Sequence, residues 1–186
     1  MDEDLWEKRL HSEAIYDGRL LHVKRDTVRL PDGHEATREW VKHPGAAAVI
    51  PLFADGRILL VRQYRYPIEQ ITLEIPAGKL DVPGEDPLAC AKRELKEETG
   101  YTAGHYEKML TLATTVGFSN ELIHIYAATE LSPGKQSPDE DEFIHAVTMP
   151  LAEAVEGISR GAIIDSKTIT AVLLLDRQKR AREGGI

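Results

Sequence analysis

Three glutamates within five positions, Glu94, Glu97 and Glu98, are the side chains of this sequence best placed to do chemistry. Residues three or four apart lie on one face of an α-helix, so a helix here would gather the three carboxylates. Arg93 can pair with Glu97, but neither Glu94 nor Glu98 has a basic residue three or four positions away. The cluster therefore predicts either a solvated acidic face or a site for a divalent cation, since Mg²⁺ prefers carboxylate oxygens together with water and phosphate.

The residues around the glutamates predict the helix that would carry them. Asp86 is suited to cap a helix that begins at Pro87, and Gly100 is suited to end it after Thr99. Apolar residues recur within this span at helical spacing and are expected to face the core: Leu88, Ala91 and Leu95.

The segment from Gly78 to Tyr101, GKLDVPGEDPLACAKRELKEETGY, resembles the Nudix box, in which a glycine-to-glutamate loop precedes Arg-Glu-aliphatic-x-Glu-Glu-x-Gly-aliphatic. Eight residues fill the fixed positions of the box: Gly78, Glu85, Arg93, Glu94, Leu95, Glu97, Glu98 and Gly100. Six residues separate Gly78 from Glu85 where the family has five, which we interpret as a one-residue loop insertion. So many fixed residues at set spacing favour the metal site over the solvated face.

The resemblance implies a metal-dependent hydrolase of nucleoside diphosphates linked to another moiety. In the family, Mg²⁺ or Mn²⁺ bridges the substrate phosphates and lowers the pKa of the attacking water. The resemblance assigns the metal ligands to the side chains of Glu94, Glu97 and Glu98 and to the carbonyl of Ala77. It also places Arg93 and Glu97 in the catalytic centre, where Arg93 would hold a glutamate in place. Glu85 would support the metal ligands without binding the metal itself.

Segments outside the box are similar to the ADP-ribose pyrophosphatase branch, so the resemblance covers roughly residues 16–175. They are TRE at 37–39, VRQYR at 61–65, EIPAG at 74–78, GFSNE at 117–121 and DEDE at 139–142. Enzymes of this branch are domain-swapped homodimers, which implies that Arg38 and Glu39 contact the nucleotide from the partner subunit. The resemblance assigns five further residues to substrate binding: Arg62, Arg65, Lys79, Gly117 and Glu121. Since side chains alternate faces along a strand, Arg62 and Arg65 cannot share a face without a bulge, and Arg65 is the better candidate for the diphosphate.

The polar segment at 130–142 predicts a long mobile loop. In similar enzymes one glutamate of this loop is the general base and another helps to bind metal. We assign Glu140 as the base and Glu142 as a metal ligand, and the two roles could be exchanged. Val116 stands where the branch usually has a proline associated with ADP-ribose preference, so GDP-mannose or another nucleoside diphosphate sugar is an alternative substrate. A non-catalytic ADP-ribose sensor is the alternative of another class, against which the intact glutamates argue.

The remaining sequence, taken with the resemblance, predicts an α/β (α+β) fold: a Nudix-type α/β/α sandwich with a mixed sheet, plus a small N-terminal antiparallel β-sheet. Turns at 17–18 and 31–33 divide 15–42 into a meander, and a boundary near Pro44 separates a dimerisation and substrate-contact domain at 1–43 from a hydrolase domain at 44–186. A buried hairpin is expected from 46–53 and 57–65. Later strands are expected near 107–114, 122–129 and 143–149, and helices at 151–159 and about 166–182.

The charge balance bears on the partners. The chain has 23 Lys and Arg against 31 Asp and Glu, a net charge of -8, which argues against nucleic acid or an anionic membrane as the main partner. Its apolar stretches fall short of the roughly 20 residues that span a bilayer. The single cysteine, Cys90, and an N-terminus without the order of a secretory signal predict a cytoplasmic protein. Because the overall charge repels anions, a small anionic substrate would have to bind through a local cluster of arginines or a bound cation.

Overall fold

The computed structural model describes residues 3–138 and 142–184. Its strands and α-helices, in chain order, are β1 (Lys8–Asp17), β2 (His22–Arg29), β3 (Glu35–Lys42), β4 (Ala46–Pro51), β5 (Arg57–Arg65), β6 (Gln70–Glu74), β7 (Ala77–Lys79), α1 (Pro87–Thr99), β8 (Thr102–Ala113), β9 (Leu122–Ser132), β10 (His145–Pro150), α2 (Leu151–Ser159) and α3 (Ser166–Gly184). The described chain forms two compact units. The first runs to Gly45 and includes Ala113–Glu121, and the second comprises Ala46–Leu112 and the chain from Leu122 onward.

The first unit contains the predicted antiparallel meander, with strand order β1-β2-β3. Strand β1 begins at Lys8, earlier than the turn pattern indicated, and all ten of its residues are exposed. In the whole sheet, Asp26 and Val28 are buried. The unit exposes several large apolar side chains, among them Leu10, Ile15, Tyr16, Leu20 and Leu21.

The second unit contains two sheets. One is antiparallel, with order β10-β5-β6, and the other is mixed, with order β7-β4-β9-β8, in which β4 runs parallel to β9 and antiparallel to β7. The predicted hairpin of β4 with β5 is therefore wrong, because the two strands enter different sheets; the one isolated bridge near them, Leu52 to Ile58, lies beyond the end of β4. A continuous apolar run such as 46–53 predicts a strand that is buried on both faces of a sheet, but it does not predict which strand pairs with it.

Strand β4 is the centre of the layered core. One set of alternating residues, Ala46, Ala48 and Ile50, packs in a cluster with α2 and α3, while Ala47 and Val49 pack in a second cluster with α1. Because successive side chains of a strand point to opposite faces, the sheet is covered by helices on both sides. The predicted α/β/α sandwich with an additional small antiparallel sheet is confirmed.

Several boundaries differ from the sequence expectation. Strands β6 and β7 were not predicted, and β9 continues to Ser132, so the polar loop begins three residues later than expected. Among the described residues, no helix is long and apolar enough to cross a membrane.

Candidate active site

Local capping fixes helix α1 at the predicted bounds. The Asp86 carboxylate accepts hydrogen bonds from the backbone N–H groups of Leu88 (2.8 Å) and Ala89 (3.4 Å). Gly100 ends the helix in the left-handed conformation, with φ of 77°. The predicted core face is confirmed, since Ala91 and Leu95 are buried and Leu88 packs against them. This leaves the glutamates on the remaining surface of the helix.

Arg93 lies at the centre of the acidic cluster. Its Nε and Nη2 donate to the two carboxylate oxygens of Glu85 (2.9 and 3.0 Å), and its Nη1 donates to Glu94 (2.5 Å) and Glu97 (2.9 Å). The predicted pair with Glu97 is confirmed. The pair with Glu94 was missed, because the spacing rule considers neighbours three and four apart and not adjacent residues. One guanidinium therefore holds three carboxylates in place.

Glu98 is the most buried acid of the box, with 3% of the residue exposed. Its Oε2 accepts a hydrogen bond from the Ala77 N–H at 3.3 Å. Burial, together with the charges of Glu94 and Glu142, raises the pKa of Glu98 to about 8 against the opposing effects of the Ala77 N–H and Lys167. The pKa of Glu94 is also raised, mainly by burial, even though Arg93 opposes the rise. Both groups thus lie where a negative charge is costly without a cation.

The side chain of Glu94 lies against Gly78. A Cβ atom at position 78 would lie 1.8 Å from Glu94 Oε1, so any other residue would displace the carboxylate. This close approach gives a physical reason for the glycine that begins the box. The longer loop that follows is closed by a hydrogen bond from the Glu85 N–H to the Val82 carbonyl at 3.1 Å, and Glu85 still reaches Arg93.

The fit of this cluster to a metal ion rests on its chemistry. Within residues 3–138 and 142–184, no three acidic, histidine or cysteine side chains converge closely enough to hold a metal ion as they stand. Arg93 engages Glu94 and Glu97, while Glu98 is turned to the Ala77 N–H. The donor set nevertheless suits a divalent cation, because hard carboxylate oxygens are the ligands such ions prefer and because a cation would relieve the raised pKa values of Glu94 and Glu98.

The loop that follows β9 packs on the end of α1. The Gln136 side-chain amide donates to the carbonyls of Glu98 (2.6 Å) and Ile144 (3.1 Å), and the Ser137 N–H donates to the Glu97 carbonyl (3.0 Å). This brings Glu142 close enough for its charge to raise the pKa of Glu98. Glu140, the predicted base, lies outside the described residues. Sequence reasoning missed Gln136, because nothing distinguishes it from the other polar residues of the loop.

The two arginines of β5 that were predicted to bind substrate, Arg62 and Arg65, have different surroundings. Arg65 forms a forked ion pair with Glu74, in which both N···O distances are 2.7 Å. Arg62 instead lines a cavity of about 400 Å³ together with Phe143 and His145. Lys79 pairs with Asp81 at 3.6 Å. Arg65 is thus the arginine of this strand that is held by a buried carboxylate.

The other predicted substrate residues belong to the first unit. Arg38 forms a forked ion pair with Glu7, and Glu39 accepts from Arg25 at 3.1 Å. Glu121 accepts from the Thr114 hydroxyl at 2.6 Å, and its other oxygen lies 3.5 Å from His43 Nε2. Gly117 lies in an exposed turn closed by a hydrogen bond between residues 118 and 115.

Comparisons with known proteins bear on the family of the chain. The NUDIX domain matches residues 41–180, and the nucleoside diphosphate sugar hydrolase N-terminal domain matches residues 7–41. The chain is 45% identical to a methanol dehydrogenase activator of Bacillus methanolicus over 93% of this chain and 94% of that protein, and 41% identical to an ADP-ribose pyrophosphatase of Bacillus subtilis (strain 168) over the same shares. A crystal structure of an ADP compounds hydrolase superposes with a TM-score of 0.83 at 25% identity, covering 98% of both chains. The box on α1, the layered fold and these matches together show that the chain belongs to the Nudix family.

Proposed function

We propose that this chain hydrolyses the pyrophosphate bond of ADP-ribose or a similar nucleoside diphosphate sugar, giving a nucleoside monophosphate and a sugar phosphate. The observation that carries the proposal is the acidic cluster of α1, in which Arg93 holds Glu85, Glu94 and Glu97 beside the buried Glu98. Full-length similarity to an ADP-ribose pyrophosphatase supports the substrate class.

Nudix hydrolases generally need a divalent metal. We propose Mg²⁺, with Mn²⁺ as the alternative, and we assign its ligands to the side chains of Glu94, Glu97, Glu98 and Glu142 and to the carbonyl of Ala77. A divalent ion there supplies positive charge for the substrate phosphates and lowers the pKa of bound water.

The protein's own residues would bind the substrate and accept the proton. Arg65 presents a fixed guanidinium to the diphosphate, and a carboxylate of the loop after β9, assigned as Glu140 with Glu142 as the alternative, accepts the proton of the attacking water. Further substrate contacts are assigned to Arg38, Glu39, Arg62, Lys79, Gly117 and Glu121.

We also propose a homodimer, in which residues 1–43 form a dimerisation domain and 44–186 the hydrolase domain. The first unit exposes Leu10 and Tyr16 on a sheet with little buried surface of its own, and Leu20 in the turn that follows β1, and a second copy would cover them. Arg38 and Glu39 would then contact the nucleotide held by the partner subunit. Light scattering is expected to give twice the mass of the chain, and a monomer at micromolar concentration would contradict this arrangement. We assign the enzyme to the cytoplasm, consistent with the single buried Cys90.

The test of the proposed function is a substrate panel. The purified chain is incubated with ADP-ribose, GDP-mannose and other nucleoside diphosphate sugars in Mg²⁺ or Mn²⁺, and the products are separated by chromatography. The panel includes GDP-mannose because Val116 is 83% exposed in a turn of the first unit and replaces the proline associated with ADP-ribose. Cleavage to a monophosphate and a sugar phosphate is expected. Binding of ADP-ribose without cleavage would instead favour a sensor.

A variant tests the site itself. Glu98→Gln is expected to lower kcat by two orders of magnitude or more, on the order of 3 kcal/mol of transition-state stabilisation. Glu153→Gln, at an exposed position of α2, is the matched control and is expected to retain full turnover. Turnover near that of the wild type in Glu98→Gln would refute the assignment.

A second candidate function comes from the relative at 45% identity, a methanol dehydrogenase activator. We propose activation of a methanol dehydrogenase as this second function. The test measures the rate of methanol oxidation by a methanol dehydrogenase with and without the chain. Activation that survives Glu98→Gln would show a role independent of hydrolysis, whereas activation lost with Glu98→Gln would link both roles to one site.

A further inference from the structure

A cluster of charged side chains is buried behind Arg65 in the second unit. Glu74 is its centre, with 2% of its side chain exposed, and it accepts hydrogen bonds from Arg65, from the Thr72 hydroxyl (2.7 Å) and from Lys167. Lys167 has 8% of its side chain exposed and also lies 3.1 Å from Asp165. Two cations and two anions thus compensate one another where water has little access.

Glu74 holds Arg65 by one edge of its guanidinium. The Nε–H and one N–H of Nη2 donate to the two oxygens of Glu74, both at 2.7 Å. Three of the five guanidinium N–H groups remain, and none of them donates to a residue that the structure describes. Because 44% of the Arg65 side chain is exposed, the free edge is available to an anion. A forked carboxylate pair of this kind fixes direction as well as position.

Lys167 in turn holds Glu74. Although burial alone would raise the pKa of Glu74, the hydrogen bonds and charges of Arg65 and Lys167 lower it to about 2, so this carboxylate is ionised at neutral pH. The position of Lys167 is itself set by the start of α3. There Asp165 accepts from the Thr168 N–H (3.0 Å) and hydroxyl (2.5 Å), and Thr168 Oγ1 accepts from the Ile75 N–H (2.9 Å).

We propose that Glu74 and Lys167 are positioning residues, which aim the free edge of Arg65 at the substrate diphosphate. This inference rests on the proposed function, because it assigns the anion that Arg65 meets. Stability alone does not explain the cluster, since buried ion pairs are often no more stabilising than apolar residues of similar volume. The Arg65 guanidinium is the half-exposed end of the cluster, and Glu74 and Lys167, which orient it, are the buried end.

A double-mutant cycle tests the inference with ADP-ribose and Mg²⁺. Glu74→Gln is expected to lower kcat/KM by about tenfold to a hundredfold, with most of the effect in KM, because a charge-assisted contact is misaligned. In the Arg65→Ala background the same substitution is expected to change kcat/KM by less than about threefold, because the group that Glu74 orients is gone. Equal losses in both backgrounds would mean a purely structural role and would overturn the proposal.

Variants of Lys167 provide the second measurement, which stands even if Glu74→Gln does not fold. Lys167→Met is expected to raise KM about tenfold, and Lys167→Arg to restore it to within about threefold by donating again to Glu74. Arg180→Gln, on the same helix and paired with Asp176, is the control and is expected to leave KM unchanged. An unchanged KM in Lys167→Met, or no rescue by Lys167→Arg, would overturn the proposal. Absence of cleavage in the wild type would refute the proposed function instead.

Discussion

Replacing Glu98 by glutamine should stabilise the metal-free protein at neutral and alkaline pH. Glu98 is buried beside Glu94 and Glu142, and its pKa rises from an ordinary 4.5 to about 8. The folded protein therefore binds a proton that the unfolded chain has released, so the free energy of unfolding falls as pH rises above 4.5 and levels off above about 8. One such group gives a slope of about 1.4 kcal/mol per pH unit and a total on the order of 5 kcal/mol.

Denaturant unfolding in EDTA measures this effect. The free energy of unfolding of the wild type and of Glu98→Gln is determined at pH 5, 6, 7, 8 and 9, and the difference between the two proteins is plotted against pH. We expect the two free energies of unfolding to be similar at pH 5. The advantage of Glu98→Gln over the wild type is then expected to grow steadily up to pH 8. Glu153→Gln is the control, because it makes the same substitution at an exposed position of α2.

Addition of Mg²⁺ should make the wild type more stable than Glu98→Gln. An ion held by the carboxylates stabilises the wild type by mass action, most strongly where Glu98 is ionised, and gives the variant much less. If the two metal-free proteins keep a constant difference from pH 5 to pH 9, then burial and neighbouring charge do not raise the pKa of Glu98, and the electrostatic reasoning about the site is refuted.

Three further predictions concern neighbouring residues. Gly78→Ala should lower kcat at least about tenfold with little change in Tm, because the added Cβ displaces the flexible Glu94 side chain and not the backbone; an unchanged kcat would contradict this contact. Arg93→Lys should cost about 1–3 kcal/mol in denaturant unfolding, because lysine cannot form the forked pair with Glu85; an equally stable variant would contradict it. The lowered pKa of Glu74 should stabilise the fold above pH 4.5 by on the order of 3 kcal/mol, lost as pH falls towards 2; circular dichroism would show this loss in the wild type, and the same loss in Glu74→Gln would disprove its origin.

The helix of the site could be predicted because its determinants are local. Asp86, Pro87 and Gly100 act within one turn of the residues that they cap, and the glutamates between them follow from helical spacing. The likeness of this segment to the Nudix box therefore located the acidic cluster from residue types and spacing alone. The general fold class followed from the same resemblance.

The strand pairing and the support of Arg65 could not be predicted in this way. Strand β4 is buried on both faces, and periodicity does not distinguish a hairpin partner from a distant parallel strand such as β9. Glu74 and Lys167 are 93 positions apart, so their contact depends on how α3 packs on the sheet. The pairing of Arg93 with its neighbour Glu94 depends on side-chain rotamers, which residue spacing does not report.

The short segment between β6 and β7 limits the distance between two groups assigned to the site. Glu74 ends a strand of one sheet, Ala77 begins a strand of the other, and the two are separated by three peptide units, which span at most about 11 Å. The backbone of Glu74, whose side chain holds the arginine that we propose for the diphosphate, therefore lies within that length of Ala77, whose carbonyl we propose as a metal ligand. An insertion of one residue between Glu74 and Ala77 would lengthen this connection while leaving the Glu74 carboxylate and the Ala77 carbonyl chemically unchanged.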